Sequence, residues 1–592
     1  MSTVQLSGIL IIIMVIVYII IGMKWRKYAE ESSSDYLLAG RGVPFWMMGA
    51  AYIGCMFGGA ILTGSTNYGF SGGMSLIWAS ALPCLGITIF ILFFARRLNF
   101  YGRSTNAITM ADFLCDRFGE GMRIPIGLLT VLRGTFGAGM QYIAIAAALV
   151  VAFGWDMRLA IVVAAASCFA YMLTAGQFSA IVTQWIQAIV QNLTILVFAL
   201  SVIKWLGSPA DAVNAIYSAL PEEFTNGLMV TFSNFSVWIL TICLYYIVDP
   251  WMYMNTYLGK SPKVSQNSQL VITCGQFYVI LIYIAGMAVA AAVALGKVTL
   301  PDGITGDQIL SHVALNQSSL LVGTLLIVGL VMTIISAASS LVMCGTSGVA
   351  NDIYLKAIRK GKETPRKNVI AVSRFSLLIV TLGGIISAIW LPNVVPFWVL
   401  TQGLILSGTL APTFAAWFWK RSTKQGAFLS CILGMISSFA WAMYAWATTG
   451  SPGTLIGGFH AAHIGVFVSV PVMIIASLLT KPDYGKAEST SHKRLGECVR
   501  LQAIEEEGKE IKGIWGILGA DKPLVRLFWV FIAALFLAHF LLIIFFQFSA
   551  IGHITIWIAI ISGVVIFLVY TVMPIFDIKK FIPDRLNKEQ AK

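Results

Sequence analysis

The chain has 592 residues, of which 58% are hydrophobic and only 11% are charged, and its mean hydropathy is +0.84. Soluble domains carry about 25% charged residues, so this composition excludes a soluble globular protein. The formal net charge of +13 does not predict nucleic acid as a partner, because the basic residues lie in short segments between apolar runs and are explained by membrane topology.

The apolar runs are long enough to cross a bilayer as helices. Leu6–Met23 and Leu527–Phe546 each approach the ~20 residues that span about 30 Å of hydrocarbon. The first run lacks a preceding basic residue and a following cleavage site, so we predict a retained helix rather than a secretory signal. In chain order, about fifteen transmembrane helices are predicted near residues 5–23, 42–71, 74–95, 124–153, 159–175, 179–206, 231–257, 268–296, 318–350, 369–390, 394–418, 425–446, 462–480, 526–547 and 553–575.

The distribution of basic residues predicts the orientation of these helices. With the N-terminus outside, the cytoplasmic segments would be 24–35, 96–123, 258–267, 351–368, 419–425, 481–524 and 576–592. They contain 32 of the 39 Lys and Arg residues, whereas the outside loops 208–230 and 298–317 contain none. Because cytoplasmic loops are enriched in Lys and Arg, we predict a multi-pass protein of the inner (plasma) membrane, with the N-terminus outside and the C-terminus in the cytoplasm.

The central spans form two sets of five, at 42–206 and 231–418, with opposite orientations because five is odd. This is the plan of an inverted repeat, which is common in secondary transporters. Each set opens with an irregular span, which carries the glycine-rich run Phe57–Gly73 in the first and Pro250 in the second. Discontinuous helices at matching positions predict a binding site near the bilayer midplane. The alternative is that the glycines only permit close helix packing.

The predicted spans divide the chain into an N-terminal accessory span and loop (1–41), a first repeat (42–207), an outside loop (208–230), a second repeat (231–421), accessory spans (422–480), a cytoplasmic loop (481–524) and two C-terminal spans with a tail (525–592).

Several short motifs occur in the order seen in a known transporter family. They are the stretch Asp35–Gly54 before the glycine-rich run, Gln141 in the third core span, T-x-x-x-Q at Thr183–Gln187, NDIY at Asn351–Tyr354 and FWKR at Phe418–Arg421. Together they resemble the sodium:solute symporter family over roughly residues 5–480, and we identify the chain as a bacterial member. The resemblance implies an all-α polytopic membrane protein with a LeuT-like five-plus-five inverted repeat core, one N-terminal and about four C-terminal accessory helices.

The resemblance also implies Na+ as the coupling ion, with no other cofactor. In the family the ion lies between the first and eighth core helices, and a hard cation needs several oxygen ligands there. The matching positions are the carbonyls of Gly54 and Phe57 and the side chains of Thr333 and Ser336. Ala337 stands where a second hydroxyl is usual, so one ligand is missing.

The fifth core span also departs from the family pattern, because Gln184 stands where many members carry an aspartate. Ser339, Ser340 and Thr346 could supply oxygens in a shifted register. Alternatively, these hydroxyls could serve only in hydrogen bonds between helices, which contribute about 0.6 kcal/mol on average in membranes. Sodium coupling, proton coupling and sodium-independent exchange therefore all stay open at this point.

Arg133 and Asp249 are charged residues well inside predicted spans. Arg133 lies ten residues beyond Arg123, about 15 Å along a helix, so its side chain cannot easily reach the membrane surface. Asp249 lies at a similar depth, about eight residues before the cytoplasmic end of its span. The two could form an ion pair, they could bind a zwitterion or a carboxylate solute, or Arg133 could occupy the vacated cation position.

Aromatic residues surround Asp249 in the sequence, at Tyr245, Tyr246, Trp251 and Tyr253. They could stack on a sugar or a cationic group, or they could belong to the aromatic belts at the membrane surface. Polar residues in or beside discontinuous helices are expected to face the transport pathway. The predicted solute-binding residues are therefore Asn67, Tyr68, Arg133, Gln141, Asp249, Tyr253 and Gln402.

The sequence as a whole predicts a secondary active transporter that moves a small organic solute by alternating access, coupled to a cation. No Walker, HExxH or GxSxG motif and no Cys/His metal cluster occurs in the sequence, so no enzymatic activity is predicted. The predicted partners are the solute and the lipid bilayer, and the oligomeric state is not predicted. The alternative is a nutrient sensor with a separate signalling partner, because the loop 481–524 is too short for an ordinary catalytic domain.

Overall fold

The chain folds into helices joined by short connections. The computed structural model describes residues 2–29, 37–56, 58–173, 176–301, 304, 306–362, 364–391, 394–488, 515 and 523–590, so most of the predicted loop 481–524 lies outside the described residues. The principal helices are α1 (Thr3–Ala29), α2 (Phe45–Met56), α3 (Gly59–Gly72), α4 (Trp78–Thr105), α5 (Met110–Phe118), α6 (Arg123–Phe153), α7 (Met157–Met172), α8 (Gly176–Leu206), α9 (Pro209–Ala219), α10 (Phe232–Thr256), α11 (Pro262–Ala294), α12 (Ile309–Asn316), α13 (Leu320–Ile358), α14 (Arg366–Trp390), α15 (Val394–Phe418), α16 (Lys424–Thr449), α17 (Ala461–Leu479), α18 (Pro523–Phe545) and α19 (Ser549–Gln590).

The number of membrane-spanning helices is close to the number predicted. Within the described residues, 12 helices are long and apolar enough to cross a membrane, and the bent pair α2–α3 makes up to 13. Two shorter apolar stretches, Met157–Ala170 of α7 and Tyr278–Ala294 of α11, lie between these spans. The predicted fold class, an all-α multi-pass membrane protein, is confirmed, whereas the predicted number of about fifteen spans matches only roughly.

Each set of five core spans opens with a broken helix, as predicted. Between α2 and α3 the chain bends by 48°. Gly58 precedes α3, and no Cβ would fit at Gly59 because the backbone there lies against the side chain of Ala144 on α6. The second break interrupts α10 at Val248 and Asp249, and Pro250 starts the short inner half at a position where its missing N–H costs nothing.

Three stretches of π-helix widen the core helices. They are Ile91–Ala95 in α4, Ile239–Leu244 in α10 and Gly348–Ile358 in α13. Such stretches are rare and often lie at functional sites. The one in α10 lies directly before the break at Val248.

Close helix packing places the centre of α6 against α13. The backbone of Gly134 lies so close to Gly345 that neither residue could carry a larger side chain without displacing the other helix. Small residues permit this approach in membrane proteins, where packing rather than the hydrophobic effect holds helices together. Arg133 therefore projects from α6 next to a close contact between α6 and α13.

The orientation of the bundle stays a prediction. We expect reporter fusions after Thr225, between α9 and α10, to lie outside the cytoplasm, and fusions after Lys362, between α13 and α14, to lie inside it. Alkaline phosphatase and fluorescent protein fusions at both sites measure this directly. The opposite pattern at both sites would reverse every helix and refute the orientation.

Candidate functional site

The two charges predicted to lie at equal depth are paired in the structure. Arg133 on α6 donates from Nε to Asp249 Oδ1 at 3.0 Å and from Nη2 to Oδ2 at 3.1 Å. Asp249 is fully buried and Arg133 is 6% exposed. A two-pronged arginine–carboxylate pair of this kind is geometrically specific and stronger than a bond between neutral groups.

The break in α10 holds the carboxylate of Asp249 in place. Its Oδ1 also accepts from the backbone N–H of Trp251 at 3.0 Å, so Asp249 caps the inner half of α10. The guanidinium of Arg133 lies 5.7 Å from the centre of the Tyr245 ring, within cation–π range. The ion pair is therefore anchored to both halves of the broken helix.

A small cavity of about 30 Å³ adjoins the ion pair. It is lined by Cys55, Met56, Gly58, Ile61, Arg133, Met140, Gln141, Tyr246, Trp251, Leu341 and Trp398. The Nη1 group of Arg133 donates no hydrogen bond to any residue that the structure describes. This space holds water-sized molecules only, so an organic solute would need the helices to move apart.

Gln141 anchors the first broken helix to α6. Its Oε1 accepts from the backbone N–H of Gly59 at 2.7 Å, which satisfies one of the free N–H groups at the start of α3. A Cβ at Gly58 would lie 2.7 Å from this Oε1 and 2.6 Å from the Cβ of Ala337. Gln141 therefore both lines the cavity and fixes the break.

Three helices meet at Gly54, the first predicted cation ligand. A Cβ at Gly54 would lie 2.7 Å from the Oγ of Ser336 on α13 and 3.5 Å from the carbonyl oxygen of Gln184 on α8. The hydroxyls of Ser336 and Thr333 are buried and have no hydrogen-bond partner among the described residues. Phe57, the other predicted carbonyl ligand, lies outside the described residues.

The hydroxyls that could have compensated for Ala337 are engaged or distant. Ser339 donates to the carbonyl of Ser336 at 2.8 Å, and Ser340 accepts from the indole N–H of Trp251 at 2.8 Å. Thr346 lies ten residues beyond Ser336, about 15 Å along the helix. The shifted-register alternative stays a prediction.

The aromatic residues around Asp249 do not form a surface belt. Tyr245, Tyr246, Trp251 and Tyr253 are all at most 5% exposed, so the belt alternative is wrong. Tyr253 accepts from the indole N–H of Trp417 at 3.1 Å and does not line the small cavity. The sequence did not predict this orientation, because the hydropathy pattern does not define the rotation of a helix that is buried on all sides.

The other polar candidates lie around the cavity rather than in its lining. Asn67 lies against the backbone of Gly306, in the connection before α12, and the Tyr68 ring lies 6.2 Å from that of Trp238. The amide of Gln402 donates to the carbonyl of Thr241 at 2.6 Å and accepts from Trp398, which lines the cavity, at 2.9 Å. Gln402 therefore supports the cavity wall through Trp398, whereas Asn67 and Tyr68 contact residues outside the cavity lining.

A second polar cluster, at the predicted cytoplasmic end, was missed by sequence reasoning. Asp112 on α5 accepts from Arg123 Nη1 at 2.8 Å and from Lys356 Nζ at 2.6 Å. Asp352, from the NDIY motif, accepts from the Thr109 hydroxyl at 2.6 Å. The T-x-x-D capping pattern at Thr109 could have identified Asp112 as a helix cap, but not its ionic partners.

This cluster borders a cavity of about 340 Å³, far larger than the central one. Burial by itself would raise the pKa of Asp112, but the charge of Lys356 and the hydrogen bonds from Ile108 and Arg123 lower this pKa below the usual carboxyl value. Asp112 therefore stays ionised and links α5 to α6 and α13 at this end of the bundle.

Comparison with known proteins matches this architecture. The sequence model of the sodium:solute symporter family matches residues 36–434, more than half of the chain. The chain belongs to the sodium:solute symporter family. One relative is the sodium/proline symporter of Staphylococcus aureus (strain JH9), which is 24% identical over 508 residues. The alignment covers 82% of this family member and 95% of the relative.

A solved structure supports the fold of this family member. It is described as the substrate-bound outward-open state of a Na+-coupled sialic acid symporter, with a TM-score of 0.66 and 17% sequence identity. The match covers 81% of this chain and 98% of that one. The predicted membership and fold class are confirmed, and the roles of individual residues stay predictions.

Proposed function

We propose that this family member is a secondary active transporter that couples movement of a small organic solute to a cation gradient, with Na+ as the ion. The observation that carries the proposal is the meeting of the Ser336 hydroxyl with the backbone of Gly54, beside the break between α2 and α3. Ser336 and Thr333 present buried oxygens with no described hydrogen-bond partner, and such oxygens suit a hard cation. The sodium-coupled names of the relative and of the structural match support the choice of Na+.

The two cavities support alternating access. The central cavity of about 30 Å³ is too small for an organic solute, whereas the cavity of about 340 Å³ lies at the predicted cytoplasmic end. On the predicted outer side, Gly306 packs against Asn67 and covers the end of α3. Solute binding would therefore require the broken helices to move relative to α6 and α13, as in transporters built from inverted repeats.

Arg133 of the ion pair is the proposed binding group for the solute. Arg133 lines the central cavity, and Nε and Nη2 hold Asp249 while Nη1 bonds no described residue, so a solute carboxylate could bind the free edge of the guanidinium. Because the guanidinium bonds Asp249 and not the hydroxyls of Thr333 or Ser336, the geometry does not favour Arg133 as a substitute for the cation. We therefore propose a zwitterionic or carboxylate solute. Uptake into proteoliposomes, screened with amino acids, carboxylates, sugars and vitamins under Na+, H+ or no gradient, tests the solute and the ion together.

Replacing Ser336 by alanine tests the cation site. We expect the Na+ concentration for half-maximal uptake to rise at least tenfold, equivalent to about 1.4 kcal/mol, because a cation ligand is lost. The free energy of unfolding should change by less than about 1 kcal/mol, since the hydroxyl bonds no described residue.

The matched control is Ser347→Ala on the same helix, whose buried hydroxyl donates to the Cys344 carbonyl at 2.7 Å. It should leave the Na+ dependence unchanged. Ala337→Ser should restore a hydroxyl and lower the Na+ requirement. Wild-type uptake that ignores a Na+ gradient would contradict sodium coupling whatever the variants do.

A further inference from the structure

The buried amide of Gln187 on α8 is not explained by the packing of the helices. Gln184 is 1% exposed and Gln187 is fully buried, three residues apart on one face of α8. The Nε2 of Gln184 and both the Oε1 and the Nε2 of Gln187 have no hydrogen-bond partner in the part of the chain that the structure describes. Buried amides in native proteins are almost always paired with protein, water or an ion, so Gln187 indicates a ligand.

Two contacts define the position of Gln187 relative to α13. At one end, the Gln184 carbonyl and the Ser336 hydroxyl flank Gly54; further along, the Thr194 hydroxyl lies against Gly329. Residue numbers rise along α8 and fall along α13 between these contacts, so the two helices are antiparallel. Three residues beyond Gln184 on α8 therefore correspond to three residues before Ser336 on α13, which places Gln187 at the level of Thr333.

The residues at this level share one kind of chemistry. The hydroxyls of Thr333 and Ser336 and the amide oxygen of Gln187 are buried, uncharged oxygen ligands without described partners. Amide and hydroxyl oxygens are suitable ligands for a hard cation. The hydroxyl absent at Ala337 leaves the proposed site one ligand short, and Ala337 instead packs against Gly58.

We propose that Gln187 Oε1 is a ligand of the cation, completing with Thr333 and Ser336 an uncharged site between α8 and α13. This inference rests on the proposed function, because it assigns a further ligand to the same cation. An uncharged site binds the ion without a carboxylate that titrates. Cation affinity should therefore be independent of pH between about 5 and 8, where only groups with perturbed pKa values and histidines change charge.

The test uses cation-dependent thermal stability of the purified full-length protein, which requires no solute. The melting temperature is measured against increasing NaCl, with choline chloride keeping the ionic strength constant. Gln187→Leu removes the oxygen at nearly constant volume. We expect it to melt no lower than wild type in choline chloride and to need at least tenfold more Na+ for the half-maximal shift. Gln187→Glu should lower the Na+ requirement and make it rise as the pH falls.

Thr194→Val is the matched control, because its buried hydroxyl donates to the Val190 carbonyl of its own helix at 2.8 Å. It should keep the wild-type Na+ response. If Ser336→Ala abolishes the Na+ shift but Gln187→Leu leaves it intact, the inference is overturned and the proposed cation site stands. If wild type shows no Na+ shift, the cation site and Gln187 as its ligand are both overturned. A lower melting temperature of Gln187→Leu in choline chloride, with a normal Na+ response, would show that the amide serves the fold and would also overturn the inference.

Discussion

Replacing Arg133 by glutamine, or Asp249 by asparagine, is expected to lower the free energy of unfolding by about 3–5 kcal/mol. Each change leaves the opposite charge buried, since Asp249 is fully buried and Arg133 is 6% exposed. The Asp249 change also weakens the cap on the inner half of α10, because the carboxylate accepts from the Trp251 N–H. Transport should fall severely in both variants.

The double variant Arg133→Gln/Asp249→Asn is expected to recover a large part of this loss, because neither buried charge remains. Thermal unfolding of the four proteins in detergent gives the coupling energy by a double-mutant cycle. Arg158→Gln, exposed in the first turn of α7, is the control and should change stability by less than about 0.5 kcal/mol. Strictly additive losses would refute the energetic coupling of the pair. A double variant that is stable but no longer binds solute would show that the pair also recognises the solute.

Replacing Asp112 by asparagine is the second change with a large expected effect, a loss of about 2–4 kcal/mol in the free energy of unfolding. The carboxylate holds Arg123 and Lys356 at 2.8 and 2.6 Å, and its removal leaves two cations near one another. The side chain of Lys356 is 32% exposed, so water solvates its charge and offsets part of the lost stability.

Acid should reproduce this effect in the wild type. The folded-state pKa of Asp112 is lowered, so its contribution to the free energy of unfolding is complete at neutral pH. This contribution is lost as the pH falls from about 4, the usual pKa of an aspartate, through the lowered pKa of the folded state. Unfolding measured from pH 7 to pH 3 should therefore show a smaller pH dependence in Asp112→Asn than in wild type. Glu120→Gln is the control, because Glu120 also bonds Arg123 but is 72% exposed, and we expect it to cost less than about 1 kcal/mol. Equal losses of unfolding free energy in Asp112→Asn and Glu120→Gln would show that burial of the carboxylate does not determine the size of the effect.

The sequence predicted the spans and the two breaks for clear physical reasons, and it offered the ion pair as one of three interpretations of Arg133 and Asp249. Apolar runs of membrane-spanning length fold as helices, since only helices satisfy the backbone in lipid. Glycines near Gly58 and the proline at Pro250 mark where those helices stop. Arg133 and Asp249 could be matched because depth in a membrane is counted along a helix, and two charges at one depth are least costly together.

Rotation about the helix axes could not be predicted in the same way. A helix that is buried on all sides shows no apolar stripe to orient it. The sequence did not predict that Tyr253 bonds Trp417 instead of lining the central cavity. It also did not predict that Gln141 caps the start of α3. The partners of Asp112 come from α6 and α13, elements far apart in sequence, so no local pattern identifies them.

The π-helical stretch Ile239–Leu244 determines the azimuth of the turn Tyr245–Ile247 that follows it, up to the break at Val248. A π turn takes up one residue more than an α turn, so the Tyr245 ring beside Arg133 is rotated by about 100° from the direction that an uninterrupted α-helix would give it. Counting by 3.6 residues from Phe232 therefore selects the wrong face for this ring. When relatives are aligned, a one-residue gap in this stretch signifies a turned helix rather than a shortened one, and with it a different side chain presented to Arg133.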